Sequence, residues 1–226
     1  RRSLSSQQAM KLASDLKESE RNGRIVAVWM ALATGVRRGE ALGLEWCDVD
    51  FARKRVYVRE QLDKRGVRRD PKSEKSQRNL SIDDGTVRFL SEWKMMQSDM
   101  FFGGGDVPDS TPVCTNETGG FISPSAFDRW RRNYFVEHGL GTFDKEEAWY
   151  DRNGIKRYRR SGYHGYNLHE LRHTQATLLI GKGADIKTVQ NRLGHSTASL
   201  TMDIYAHAIE QNDQEAAEVI GGLLGS

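Results

Sequence analysis

Apolar residues first recur at helical spacing: Ala9, Leu12, Ala13 and Leu16 follow Ser5, and Gln8 stands three residues after Ser5 as in a capping box. A helix is therefore expected from there to about Asn22. Residues 25–34 form a second, strongly apolar helical stretch with Gly35 as its stop, and residues 37–44 a third, short one. After Trp46 the period changes. Residues 55–58 alternate, with Val56 and Val58 on one side and Arg55 and Tyr57 on the other. Residues 67–69 and 78–82 read the same way, so the three segments predict one small antiparallel sheet with a turn at 72–77. Asp83 or Asp84 then caps a helix carrying Val87, Leu90 and Trp93 along one face. Residues 103–112 are a Gly/Asp/Pro-rich loop, 123–138 are helical, and 139–165 show no period and read as irregular. Asn167 caps a helix through Leu179, ended by Gly181 and Gly183. Residues 186–193 form another short helix closed by Gly194, and further helical segments carry Tyr205 and the tail. The pattern predicts a mainly α chain with one small antiparallel β-sheet.

Composition narrows the class. The 226 residues, 37% hydrophobic and 29% charged, suffice for one sizeable core. Cys47 and Cys114 make no disulfide framework, no apolar run approaches the ~18 residues of a membrane span, and no signal peptide is present. A cytoplasmic protein is expected, with no membrane partner. The chain begins at Arg1 rather than Met, as a piece of a longer protein would.

The net charge of +3 is unevenly spread. Residues 53–78 hold eleven Lys/Arg against four acids, residues 152–160 hold five with no acid, and the tail after His207 has four acids and no Lys or Arg. Two basic patches and an acidic tail fit a polyanionic partner.

The stretch NLHELRHT, residues 167–174, contains a literal HExxH, the zinc-protease pattern. It lacks the third His of the longer form, no acid follows until Asp185, and Arg172 would set a cation beside the metal. At another spacing the segment reads differently. His169 and Arg172 stand at i and i+3 in the first turn of a helix, whose free N–H groups and dipole favour an anion. Three companions share that character: ATGVRRGEAL with Arg37 and Glu40, PKSEKSQRNLSI with Lys72, and LGHSTASLTMDIYAH with His195 and Tyr205.

In these four boxes the sequence resembles the tyrosine recombinases, the integrases of phages and mobile elements. The family's Arg, Lys, His-x-x-Arg, His or Trp, and Tyr are met in order by Arg37, Lys72, His169 with Arg172, His195 and Tyr205. The resemblance spans roughly residues 4–207 and is weakest over 139–165. It implies the DNA breaking-rejoining catalytic-domain fold over 1–226, with the family's preceding core-binding domain outside the chain.

The resemblance also implies the chemistry. Arg37 and Arg172 would clamp the non-bridging oxygens of a DNA phosphodiester, and Glu40 would orient Arg37. Tyr205 would attack to leave a 3′-phosphotyrosyl link, with His169 as base, Lys72 as acid on the 5′-oxygen and His195 hydrogen-bonded to phosphate. Lys75 is a rival for the acid. No metal, cofactor or ATP is expected, because the arginines supply the charge and the phosphotyrosine keeps the bond energy.

Implied partners are double-stranded DNA at attachment sites and further copies of the chain in a homotetrameric synapse; an accessory directionality factor is left open. DNA contacts are expected from Arg55, Lys64, Arg65, Arg68, Arg69, Lys75 and Arg78, and from Arg157, Arg159 and Arg160. Residues beyond Tyr205, among them Ile209, Ala216 and Val219, could form an amphipathic helix passed to a neighbour. The competing readings are a type IB topoisomerase, a non-catalytic DNA-binding module and a zinc hydrolase.

Overall fold

A computed structural model of the chain describes residues 2–70, 77–194 and 220–221. Its elements run α1 (Ser6–Glu18), α2 (Gly23–Thr34), α3 (Arg38–Gly43), β1 (Val49–Asp50), β2 (Arg55–Val58), β3 (Gln61–Leu62), β4 (Arg68–Arg69) and β5 (Arg78–Ser81). There follow α4 (Asp84–Phe102), α5 (Pro124–Glu137), β6 (Gly141–Tyr150), β7 (Lys156–Gly165), α6 (Leu168–Gly181) and α7 (Ile186–Leu193). None of these helices is long and apolar enough to cross a membrane.

Helix α2 is the axis of the domain. Its sequence GRIVAVWMALAT is apolar all round, which suits a helix packed on every side. It lies against α1, α3 and α6. Asn22 starts it by accepting from the N–H groups of Arg24 and Ile25, and Gly35 ends it in the left-handed conformation, φ 68°. A Cβ on Gly35 would stand 2.4 Å from Gln175 Oε1 and 2.6 Å from Leu193 Cδ2. The turn is thus pressed between α6 and α7, and only glycine fits both the backbone and the space.

Three expectations are corrected. Helix α1 stops at Glu18 rather than near Asn22, because the backbone turns extended at Ser19 (ψ 147°), whose hydroxyl caps the Asp15 carbonyl. The basic strands do not share one sheet. β1, β2 and β5 form a three-stranded antiparallel sheet, whereas β4 pairs with β3 as a separate hairpin. Residues 139–165 are not irregular. They build the longest ladder of the fold, β6 against β7, with Phe143 opposite Tyr163 and Glu146 opposite Arg160. Its two faces are almost wholly polar and solvent-exposed, so no apolar alternation marks it. The usable signal is Asn153-Gly154 at its tip, where Asp151 takes the N–H groups of Asn153 and Ile155. Asp83, not Asp84, caps α4.

The main core gathers α1 to α5, the three-stranded sheet and the start of α6, with Trp46 and Trp93 buried. The two buried indoles are paired: Trp93 Nε1 donates to the Val113 carbonyl at 2.6 Å and Trp46 Nε1 to Gln97 Oε1 at 2.7 Å. A smaller core of Ala176, Ile180, Val189 and Leu193 joins α6 to α7. Between the two cores, where α2, α6 and α7 end or begin, lie the charged residues described next.

Candidate active site

The first box is built by local sequence. Gly35 terminates α2, Val36 is buried, and Arg37 becomes the N-cap of α3. Three residues on, Glu40 reaches back to take the Arg37 N–H at 2.7 Å and Arg37 Nη1 at 2.8 Å. Glu40 is 1% exposed, and the Arg37 side chain 36%. Arg78, from the start of β5, holds the same carboxylate with both terminal nitrogens, at 3.1 and 2.8 Å. Burial alone would raise the Glu40 carboxyl; the bonds and charges of Arg78 and Arg37 more than reverse that and bring it down to about 2.

The second box sits on α6. Asn167 caps the helix by accepting from the N–H groups of His169 and Glu170, and Glu170 returns a carboxylate to the Asn167 N–H. Two of the N–H groups expected to attract an anion are therefore already used, and the cationic character comes from side chains. Glu170 is further occupied by Arg2 at 3.4 Å. His169 is exposed and stands edge-on to the buried His173 with ring centres 4.7 Å apart. Arg172 points the other way along the helix, into the protein. It is 1% exposed and donates to the carbonyls of Gly35, at 2.7 Å, and Leu193. Its Nε has no partner among the described residues. Burial, then the charges of Arg37 and Arg78, push its guanidinium down to about 9, so it remains a cation at neutral pH.

Helix α7 completes the arrangement through its backbone. Three consecutive carbonyls at its C-terminal end accept from three arginines. Arg78 Nε bonds Arg192 at 2.9 Å, Arg172 bonds Leu193, and Arg37 Nη2 bonds Gly194 at 3.3 Å. These groups have no partner within a helix, and they form its negative pole. The Arg192 side chain ties the same helix to the carbonyls of Ser81 and Ala33, at 3.1 and 3.2 Å.

Outward from Arg37 and His169 lies an open cleft of about 750 Å³. Arg38, Lys64, Arg65 and Arg131 line it with them, against the acids Asp63 and Asp128. Arg38 is ion-paired to Asp128, which leaves Lys64 and Arg65, at the tip of the β3–β4 hairpin, as exposed cations over the cleft.

Of the expected site residues, the structure brings Arg37, Glu40, Arg172 and the start of α6 together around the end of α7. Lys72, Lys75, His195 and Tyr205, and the tail beyond Tyr205, lie outside the described residues. Two cations expected to meet DNA face inward instead. Arg78 is 6% exposed and braces Glu40. Arg68 is taken by Glu45, Asp48 and Glu60 and by the Gly43 carbonyl, which fastens the β3–β4 hairpin to α3. Arg55, Arg69, Arg157, Arg159 and Arg160 are on the surface, Arg69 paired with Asp63, Arg157 with Asp151 and Arg160 with Glu146. Sequence reasoning missed the bracing role of Arg78 and the part played by Arg192. Their partners lie 38 to 159 residues away, and no local pattern marks them.

A model of the phage integrase family matches residues 146–212. A tyrosine recombinase XerC-like protein of Caldanaerobacter subterraneus subsp. tengcongensis is 31% identical over 225 residues, covering 92% of this chain and 52% of that protein. The ICEBs1 integrase of Bacillus subtilis is 29% identical, over 86% of this chain and 48% of its own length. The chain thus spans about half the length of these curated relatives. Among solved structures, that of XerA recombinase superposes with a TM-score of 0.66 at 21% identity, covering 96% of this chain and 65% of that one. The Tn1549 transposon integrase, solved with transposon right end DNA, gives 0.65 at 18% identity, covering 97% and 66%.

Proposed function

The chain belongs to the tyrosine recombinase family, and from that premise we propose that it cuts and rejoins duplex DNA at specific sites through a covalent 3′-phosphotyrosyl intermediate. The observation that carries the proposal is the junction of Arg37 and Arg172 with the carbonyl end of α7, beside the cleft that His169 lines.

A phosphodiester resists attack because its oxygens are anionic and the transition state gathers further negative charge. Fixed cations aimed at that charge lower the barrier most. Arg37 and Arg172 suit the task, since a guanidinium is planar, permanently charged and bidentate. Both are held before DNA arrives, Arg37 by Glu40 and Arg172 by two carbonyls, so little reorganisation is left for the reaction. The buried Nε of Arg172 is a donor that a phosphate oxygen could satisfy.

In this reading Tyr205 is the nucleophile. A free phenol has a pKa of about 10 and needs its proton removed near neutrality; His169, at the mouth of the cleft, is the candidate base. Lys72 protonates the departing 5′-oxygen, with Lys75 as its rival, and His195 bonds the phosphate. No metal or ATP is required. Strand exchange then needs several protomers around two DNA sites, a tetramer in this reading. Lys64, Arg65, Arg55 and the cations of β7 contact the DNA backbone, with an affinity that falls steeply with salt.

The test is covalent trapping. Nicked duplexes taken from the DNA flanking the chain's own coding sequence are mixed with the full-length protein in EDTA, quenched in SDS and run on a gel. An adduct present in EDTA and absent from Tyr205→Phe, which should still bind DNA, supports the proposal. No adduct from the full-length protein would favour a DNA-binding module without catalysis, and an adduct abolished by EDTA would point to a metal enzyme.

A further inference from the structure

Arg78 stands in the PKSEKSQRNLSI stretch beside Lys72 and Lys75, and its place in this site differs from the DNA contact expected of it. It stands at the first position of β5, directly after residues 71–77, which contain Lys72 and Lys75. All three faces of its guanidinium are engaged: the terminal nitrogens on the two Glu40 oxygens, Nε on the Arg192 carbonyl. One side chain therefore links the carboxylate that orients Arg37, the strand that follows the lysines, and the helix end that precedes His195.

Charge gives this link a second purpose. A buried carboxylate is the natural device for fixing Arg37, because it takes both its N–H and its Nη1. Alone, Glu40 would also cancel the Arg37 charge that an incoming phosphate should feel. Arg78 shares that carboxylate. Arg37, Arg78 and Arg172 set against Glu40 leave a formal charge of 3 − 1 = +2. Of this set Arg78, Arg172 and Glu40 are shielded from water, where electrostatic effects are strong, and Arg37 faces the cleft.

We propose that Arg78 is a positioning residue that neutralises Glu40 and locks the end of α7, so that Arg37 is held in place and keeps its charge for the DNA phosphate. This rests on the recombinase reading. Arg78 does not itself touch DNA: it is 6% exposed and both its ends are committed. DNA affinity should then depend on it little, and the rate of the covalent step strongly.

The experiment compares the full-length wild type with Arg78→Met, Arg78→Lys, Glu40→Gln and the double variant Arg78→Met with Glu40→Gln. The rate of covalent adduct formation on the nicked duplexes is followed under single turnover. The Arg78→Met rate should fall about 100-fold, as for a clamp group misplaced by about 1 Å, with DNA affinity within about threefold of wild type. Arg78→Lys, which keeps the charge but not the fork, should recover part of the loss. The telling variant is the double. Glu40→Gln removes the uncompensated negative charge yet leaves an oxygen for Arg37, so it should restore at least about tenfold over Arg78→Met. A double variant no faster than Arg78→Met, or an Arg78→Met at the wild-type rate, overturns the proposal. A second readout needs no DNA: the Glu40 carboxyl, titrated by carbon NMR, should move upward in Arg78→Met, and an unmoved titration also overturns it. If wild type forms no adduct, the recombinase reading fails, while the titration still decides whether Arg78 governs Glu40.

Discussion

Two regions of this molecule are built largely from arginine, and they use it in opposite ways. Around the end of α7, Arg37, Arg78 and Arg172 are fixed by a carboxylate and by backbone carbonyls, and Arg172 and Glu40 are 1% exposed. On the β6–β7 hairpin, Arg157, Arg159 and Arg160 stand in water, around a hollow of about 660 Å³ shared with Trp149 and Tyr158. The ion pairs of Arg157 with Asp151 and of Arg160 with Glu146 lie at the surface. Desolvation separates the two cases. A buried cation is costly unless partners meet its donors, and the partners that do so define one geometry. An exposed cation keeps its hydration and its rotamers, so it contributes charge without shape. The first arrangement suits a site that must hold one phosphate in one pose. The second suits a surface that must attract a polyanion of any sequence.

The comparison is broken most severely at Arg172. Arg172→Ala leaves two buried carbonyls without donors and opens a void between α6, α2 and α7. Unfolding free energy in urea should fall by about 3 kcal/mol or more, and adduct formation by several orders of magnitude. Arg172→Lys keeps the charge but cannot span both carbonyls, so it should fall short of wild type in both measurements. An Arg172→Lys protein with unchanged stability would mean that charge alone, not the fork, holds α7.

Acid should expose the next difference. Glu40 is held at about 2, well below its ordinary 4.5, with Arg78, Arg37 and Arg172 as the charged groups facing it. A carboxyl depressed in the folded state stabilises above its unfolded pKa and loses that contribution as pH falls through the folded one. About 3 kcal/mol should therefore disappear between roughly pH 4.5 and pH 2. Denaturant unfolding as a function of pH should show this loss in wild type and not in Glu40→Gln.

The hairpin should respond to salt rather than to denaturant. Replacing Arg157, Arg159 and Arg160 together by Ala should reduce the slope of log affinity against log salt by about 2 to 3. Stability should change by less than about 1 kcal/mol. An unchanged slope would show that this surface does not meet DNA. The smallest effect belongs to Arg69→Ala, which breaks an exposed pair with Asp63. Stability should shift by no more than about 0.5 kcal/mol in thermal unfolding.

The same contrast governs what can be read from residues alone. Arg37 and Glu40 are three positions apart on one helix turn, so their pairing is legible in the spacing itself. The Asn167 cap, the Gly194 stop of α7 and the alternation of β2 are legible for the same reason: each depends on neighbours within four residues. The hairpin is not, because strand reading relies on an apolar face and β6–β7 buries none. Arg68 and Arg78 read as DNA contacts along the chain because sequence reports a charge but not the direction in which it points. Glu40 answers Arg78 from 38 positions away.

Local chemistry along the chain, then, determined most of the helices and their caps, the order of the four boxes and the resemblance to integrases. Tertiary structure alone decided which arginines are buried and which stay exposed. It also set three carbonyls of α7 against three arginines drawn from α6, β5 and the turn before α3. Desolvation is the physical reason. Its cost acts on a side chain only when distant segments close over it, and no window of sequence contains those segments together.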